Sequence, residues 1–453
     1  MSWKPSYGAL LFASVLITYV SALLLERSDG GKKKALLTLC IVLNMGLLVF
    51  FKYSGFLVDN LNAFAARLGR GNISALDIVL PVGISFYTFQ AVGYTIDVFR
   101  KKIKAERDFF KYALFVSFFP QLVAGPIERS SHLLPQFDEK HDFDIENVRY
   151  GLLTMLWGLF IKMVIADRIS LIVTDVHENY LSYNGMSIFL AILLFTLQIY
   201  CDFSGYSYIA IGSARVMGFK LCDNFHHPLL SSSIHEFWKN WHISLTGWFT
   251  DYVYIPLGGN RKGKLRKELN TLFVFLISGF WHGAGWTYAL WGLVNGIYMV
   301  FEDVTKSVRK KISERLGIDT SKASCRLAGG IWTYLLVSLA FFAFRADSFS
   351  AMIGMLRQAK ALPGVSTVFG QAADSLCAAG GMDHAAVIAF VMAVFVLFVV
   401  DMQQKKGKDV QSLVLSQGKF LRWLVYLVLL FMIMLFGVYG NEYEQTQFIY
   451  FQF

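Results

Sequence analysis

Residues 270–300, NTLFVFLISGFWHGAGWTYALWGLVNGIYMV, hold one ionisable side chain, His282, inside a run apolar enough to enter a bilayer. Gly279, Gly283 and Gly285 break the helical pattern beside that histidine. Arg261, Lys262, Lys264, Arg266 and Lys267 precede the run, and Lys306, Arg309, Lys310 and Lys311 follow it. Basic loops of this kind stay cytoplasmic. A straight helix over the whole run would span roughly 45 Å at about 1.5 Å per residue, more than the ~30 Å hydrocarbon core. The spacing therefore predicts a helix, a glycine turn over 281–285 and a second helix: a re-entrant hairpin with His282 near its tip, where irregular backbone must face protein or a watery cavity.

The rest of the chain fits that setting. Its 453 residues would suffice for two or three soluble domains, but 55% hydrophobic and 16% charged residues specify an all-α polytopic membrane protein. The net charge of +10 sits in short basic clusters between apolar runs, which membrane orientation explains without nucleic acid. Five cysteines show no C-x-x-C spacing and read as small buried hydrophobes. The apolar run 7–25 is too long for a signal-peptide core and is expected to be a retained first span.

Further membrane elements are expected at 35–56, 76–99, 109–123, 151–173, 188–217, 331–344, 385–400 and 421–439. Lys32 to Lys34, Arg100 to Lys104, and Lys405, Lys406 and Lys408 mark cytoplasmic connections, whereas the 175–185 loop has no Lys or Arg and goes outside. These assignments agree only if 109–123, short and close to Pro120 and Pro126, is re-entrant or interfacial. Both termini are then extracytoplasmic, and residues 1–453 form one membrane-embedded domain ending in an outer tail, 440–453. Residues 218–260 are too polar for a span. They read as an interfacial amphipathic segment with Trp238, Trp241, Trp248 and Tyr252 in the headgroup zone.

An ionisable group at membrane depth is costly, so His282 is a candidate general base as well as a hydrogen-bonded structural residue. His242, in WKNWHISL, is the second candidate, and spacing alone leaves open whether it approaches His282. Lys239 and Asn240 adjoin it; with Arg261 in the basic turn they are candidate contacts for the phosphates of a diffusible ligand, although orientation explains the charges equally well. His226, His227 and His235 match no metal-site spacing, so no metal is expected. GGNRKGKL, 258–265, ends in Leu265 where a P-loop needs a hydroxyl, and no strand precedes it. Asp202 lies in an apolar run and needs a cation, from Arg215 or a second element. In the tail, Tyr450 is an interfacial anchor or, as a phenol of pKa about 10, an acyl carrier.

Six stretches together resemble the membrane-bound O-acyltransferase family, in its bacterial branch of alginate and peptidoglycan O-acetyltransferase membrane subunits. They are PVGISFYTFQ from Pro81, FFPQLVAGPIERSSHLLPQF from Phe118, DFSGYSYIAIG from Asp202, EFWKNWHISLTGWFTDYVYIPLGGNRKG from Glu236, GFWHGAGWTYALWG from Gly279 and FRADS from Phe344. The resemblance implies a helical bundle with re-entrant hairpins and a through-going tunnel. In it, acetyl-CoA from the cytoplasm and a hydroxyl acceptor from outside meet at His282, with His242 as its polar companion. It also implies a bacterial inner-membrane location and an extracytoplasmic serine-hydrolase-like partner that completes transfer to a polysaccharide. The FIYFQF ending is similar to the tyrosine motif of a small partner in the related teichoic-acid D-alanylation system, which would make Tyr450 a relay. D-alanyl transfer is thus an alternative, and a transporter or flippase of lipid-linked sugars is a rival from another class.

Overall fold

The computed structural model describes residues 6–439 except 72, 75–77, 79, 124 and 361–364, so Tyr450 and the 440–453 tail lie outside the described residues. Every regular element among the described residues is helical. The chain starts with α1 (Ser6–Glu26) and α2 (Gly30–Arg67), tied together where Ser14 donates its hydroxyl to Asn44 Oδ1 at 2.7 Å. α3 (Ile84–Phe99) packs on both, buried along nearly its whole length. α4 (Phe109–Ser117) is nine residues long, capped by Asp108, and breaks at Phe118 before the single turn α5 (Phe119–Leu122), which carries Pro120. Nine residues reach only about 14 Å, less than the ~30 Å hydrocarbon core.

After the short α6 (Ser130–Leu133), α7 (Ile145–Phe160) continues through a π-helical turn, Ile161–Ala166, into α8 (Asp167–Glu178), and α9 (Gly185–Val216) runs back alongside. The contact of α7 with α9 is built on facing glycines. A Cβ on Gly151 would lie 2.5 Å from the Gly212 carbonyl oxygen, and one on Gly158 would lie 2.6 Å from that of Gly205. Small residues at this spacing let helix backbones approach closely inside a membrane. The buried ionic group between these helices is Lys162, which bonds Asp167 at 2.6 Å and also pairs with Asp202. The cation for Asp202 thus comes from the second element, while Arg215 lies over the Tyr150 ring.

Residues 218–260 depart from the expectation of a surface segment. They form α10 (Ile234–Asn240), α11 (Ile243–Phe249) and a π-helical turn, Thr250–Tyr254. The four aromatics placed in the headgroup zone are core residues instead, with Trp238, Trp241, Trp248 and Tyr252 only 7%, 2%, 6% and 8% exposed. Trp248 stacks on Phe89 of α3 at 3.9 Å and donates its Nε1 hydrogen to the Phe89 carbonyl. Trp238 meets Trp291, and Trp241 meets Phe341. Aromatic density in a polar stretch suits an inner wall as well as an interface, and burial decides for the wall.

The hairpin follows as α12 (Lys264–His282) and α13 (Trp286–Arg315), joined by Gly283, Ala284 and Gly285. Beyond it come α14 (Ala323–Arg345), α15 (Phe349–Ala359), α16 (Val365–Ala379), α17 (His384–Lys405), α18 (Val410–Leu415) and α19 (Lys419–Phe436). Six of the described helices, α1, α2, α9, α14, α17 and α19, are long and apolar enough to cross a membrane, and α17 and α19 display exposed Phe395, Phe398, Trp423 and Phe431 to its lipid. The protein is a multi-pass membrane protein.

The basic clusters converge on one face. Lys33 lies 5.2 Å from the centre of the Phe99 ring, Arg100 bonds the Asp251 carbonyl at 2.9 Å, and Lys405 pairs with Glu236 at 3.5 Å. Lys267 pairs with Asp303 on the same side. Basic residues gathered at one end of a helical bundle are the charge pattern by which membrane proteins are oriented. The nineteen residues of α12 extend about 28 Å from this face, so the hairpin turn approaches the opposite face.

Candidate active site

The arms of the hairpin meet through Gly279 and Gly292, where added Cβ atoms would strike the carbonyl oxygens of Tyr288 and Phe275. α12 ends on His282 because Gly283 turns extended, φ −156° and ψ 150°. The His282 ring is buried against Trp281 and Trp291, each with centroids at 4.9 Å, and Phe344 at 5.5 Å.

His242 forms the corner between α10 and α11 in the left-handed region, φ 44° and ψ 53°, which a non-glycine residue adopts only when its surroundings hold it. The holder is Asn224. Its Oδ1 lies 3.2 Å from His242 Nδ1 and accepts the Ser244 hydroxyl at 2.7 Å, its backbone carbonyl accepts Ile243 N–H at 2.9 Å, and its Nδ2 donates to Ser207 at 3.2 Å. With Asn224 Oδ1 as acceptor, the His242 proton belongs on Nδ1 and its Nε2 carries the lone pair. Phe203 and Phe86 wall the ring at 4.6 and 6.4 Å. Forty residues apart in sequence, the His242 and His282 rings have centroids 6.3 Å apart.

Both histidines line one cavity of about 420 Å³. Its walls are apolar or weakly polar, including Trp238, Phe249, Phe275 and Ser278, and its far end carries His235, Tyr254, Lys267 and Asp303 on the basic face. Lys267 and His282 are fifteen residues apart on α12, about 22 Å along its axis. A second cavity of about 560 Å³ lies beyond the glycine turn, lined by Asp59, Asn60, Trp286, Arg345 and Asp347 among others. Tyr288 stands between the two: it lines the second cavity, and a Cβ on Gly283 would collide with its ring. The structure thus places a cavity on each side of the turn.

Lys239, Asn240 and Arg261 do not line the histidine cavity. Lys239 and Arg261 are exposed, and Asn240 Nδ2 donates to Ser231. Lys267, one of the basic run 261–267 that by sequence marks only orientation, does line it. Asn224 was also missed; its adjacency to His226 and His227 in LCDNFHH gave only a weak signal. His235 lies between Glu302 at 3.3 Å and Asp303 at 3.5 Å. Near the corner, buried Glu128 accepts Cys222 N–H and contacts His132 Nδ1 at 2.7 Å, which raises the His132 pKa above the ordinary imidazole value.

The six sequence stretches converge here: Phe86, Ile127 by way of Ser244, Phe203, His242, His282 and Phe344 each touch this wall. The sequence profile of the membrane-bound O-acyltransferase family matches residues 98–315. A probable alginate O-acetylase of Pseudomonas putida is 35% identical over 76% of this chain and 69% of its own length. A peptidoglycan O-acetyltransferase of Helicobacter pylori is 33% identical over 80% of this chain and 72% of its own. A teichoic acid D-alanyltransferase of Streptococcus thermophilus is 29% identical over 56% and 64%. The two-histidine cavity belongs to a membrane O-acyltransferase, and the chain is a member of the membrane-bound O-acyltransferase family.

Proposed function

We propose that the protein takes an acetyl group from cytoplasmic acetyl-CoA and delivers it to a hydroxyl on the outer side of a bacterial cytoplasmic membrane, for O-acetylation of an envelope or secreted polysaccharide. The observation that carries this reading is the single cavity joining His242 and His282 to the basic face. Its depth suits an extended pantetheine arm with the nucleotide left at the mouth near Lys267. The second cavity gives the acceptor an approach from the other side. The choice of acetyl group and polysaccharide is supported by the relatives named for alginate and peptidoglycan O-acetylation, which match more of the chain than the D-alanyltransferase does.

In this mechanism His282 takes the proton of the acceptor hydroxyl as its oxygen bonds to the acetyl carbonyl carbon. The carbon–sulfur bond breaks, and the departing CoA thiolate receives that proton. His242, its ring fixed by Asn224, positions the reacting groups beside it. The hydroxyl that first takes the acetyl group in this way is the Tyr450 phenol. The serine hydroxyl of a hydrolase-like partner outside the cell then attacks the aryl ester, the acetyl group moves to that serine and on to the polymer hydroxyl, and the departing phenolate regains a proton.

Free thiol release from acetyl-CoA by the purified protein, with a soluble hydroxyl acceptor, tests the reading. Thiol and acetyl ester form in equal amounts if it holds; movement of a lipid-linked sugar without thiol release would replace it with a flippase. Tyr450→Phe keeps the ring and removes the nucleophile, so polymer acetylation is lost if Tyr450 is the relay and unchanged if it is an anchor.

A further inference from the structure

The last carbonyls of a helix have no partner within it, and inside a bilayer water does not supply one. α12 ends on His282, which leaves the carbonyls of Phe280, Trp281 and His282 without a following helical N–H. Two adjacent residues in the middle of α2 supply the donors. The Tyr53 hydroxyl donates to the Phe280 carbonyl at 2.5 Å, and Lys52 Nζ donates to those of Trp281 at 2.7 Å and His282 at 2.8 Å. Lys52 Nζ also lies 5.9 Å from the centre of the Trp281 ring. A cation is the favoured partner for a helix C-terminus, and three donors from one neighbouring helix fix both its axial position and its rotation. The same face of α2 continues as Phe56, Asp59, Asn60 and Ala63, at helical spacing from Lys52, and lines the second cavity.

We propose that Lys52, seconded by Tyr53, is the positioning residue that holds the His282 ring at its working place and registers it against the acceptor-side cavity; this rests on His282 being the general base. No group transfer passes through Lys52. Its two bonds set where the imidazole sits, and a displacement of about 1 Å at a reacting group costs on the order of 10²-fold in rate.

The test measures kcat and KM for acetyl-CoA per mole of folded protein, with the folded fraction taken from thermal unfolding in detergent. Lys52→Met is expected to lower kcat by about 10²-fold with little change in KM. Lys52→Arg, which keeps a cation and two donors, restores most of kcat. Should Lys52→Met fail to accumulate, Lys52→Gln, with one amide donor set, takes its place and falls between the two. Wild-type kcat in Lys52→Met or Lys52→Gln overturns the proposal, as does a Lys52→Arg variant that is folded and as slow as Lys52→Gln. His282→Ala in parallel separates the two ideas: activity in that variant removes His282 as base, whereas its loss beside a fully active Lys52→Met removes Lys52 alone.

Discussion

The two cavities on either side of the hairpin turn differ in the chemistry of their walls. The inner one is walled by Trp238, Phe249 and Phe275 and meets charge only at its mouth, in Lys267, Asp303 and His235. The outer one carries Asp59, Asn60, Arg345 and Asp347 throughout a larger volume. Under the proposed function the first takes the acyl donor's slim arm and the second the hydroxyl-rich acceptor. A single turn, with Gly283 extended and Tyr288 packed over it, separates His282 in the wall of the first from Ala284 and Gly285 in the wall of the second.

The comparison breaks first at its hinge. His282→Ala removes the group both cavities serve, and thiol release is expected to fall by about 10² to 10⁴-fold while the protein still purifies folded. The contrast sharpens with plugs. Thr246→Trp in the inner cavity should raise KM for acetyl-CoA by at least roughly tenfold and leave the acceptor KM near wild type; Ala63→Trp in the outer cavity should do the reverse. Steady-state kinetics with each substrate varied in turn distinguishes them, and equal effects of both plugs on both constants would mean the cavities are not separate routes.

A smaller effect is expected from Asn224→Ala, which releases His242 Nδ1 and the corner it holds. The substitution removes three side-chain bonds, of which the one to His242, worth about 1 kcal/mol, bears on catalysis and predicts a kcat loss of roughly fivefold. The smallest concerns the His132–Glu128 pair. Glu128 raises the pKa of His132, so that pair's contribution is full below the unfolded pKa of about 6.5 and is lost as pH rises through the higher folded value. The melting temperature of the wild type should exceed that of His132→Gln by more near pH 6 than near pH 8.

Much of this arrangement could be read from residues before any coordinates. A histidine and three glycines inside an apolar run between basic flanks demanded a hairpin, because no straight helix of that length fits a bilayer. The 109–123 segment announced itself by its length and its prolines. Residues 218–260 were misread because tryptophan is amphipathic: Trp238, Trp241 and Trp248 satisfy an interface and a core equally, and only packing against Phe89, Trp291 and Phe341 decides. Lys267 hid among four other basic residues that mark orientation. Its partner Asp303, with Glu302, sits ahead of the next basic cluster and was the available hint. Lys52 gave no local sign, since its role depends on carbonyls about 230 residues away in the chain.

Passage of the acetyl group across the membrane at His282 is tested most directly in sealed vesicles holding the protein in one orientation, with acetyl-CoA outside and an excess of a soluble hydroxyl acceptor inside, standing in for the partner's serine. Thiol appearing outside together with acetyl ester on the enclosed acceptor, both absent with His282→Ala, is the predicted result. Ester formed only on acceptor supplied to the acetyl-CoA side would contradict it.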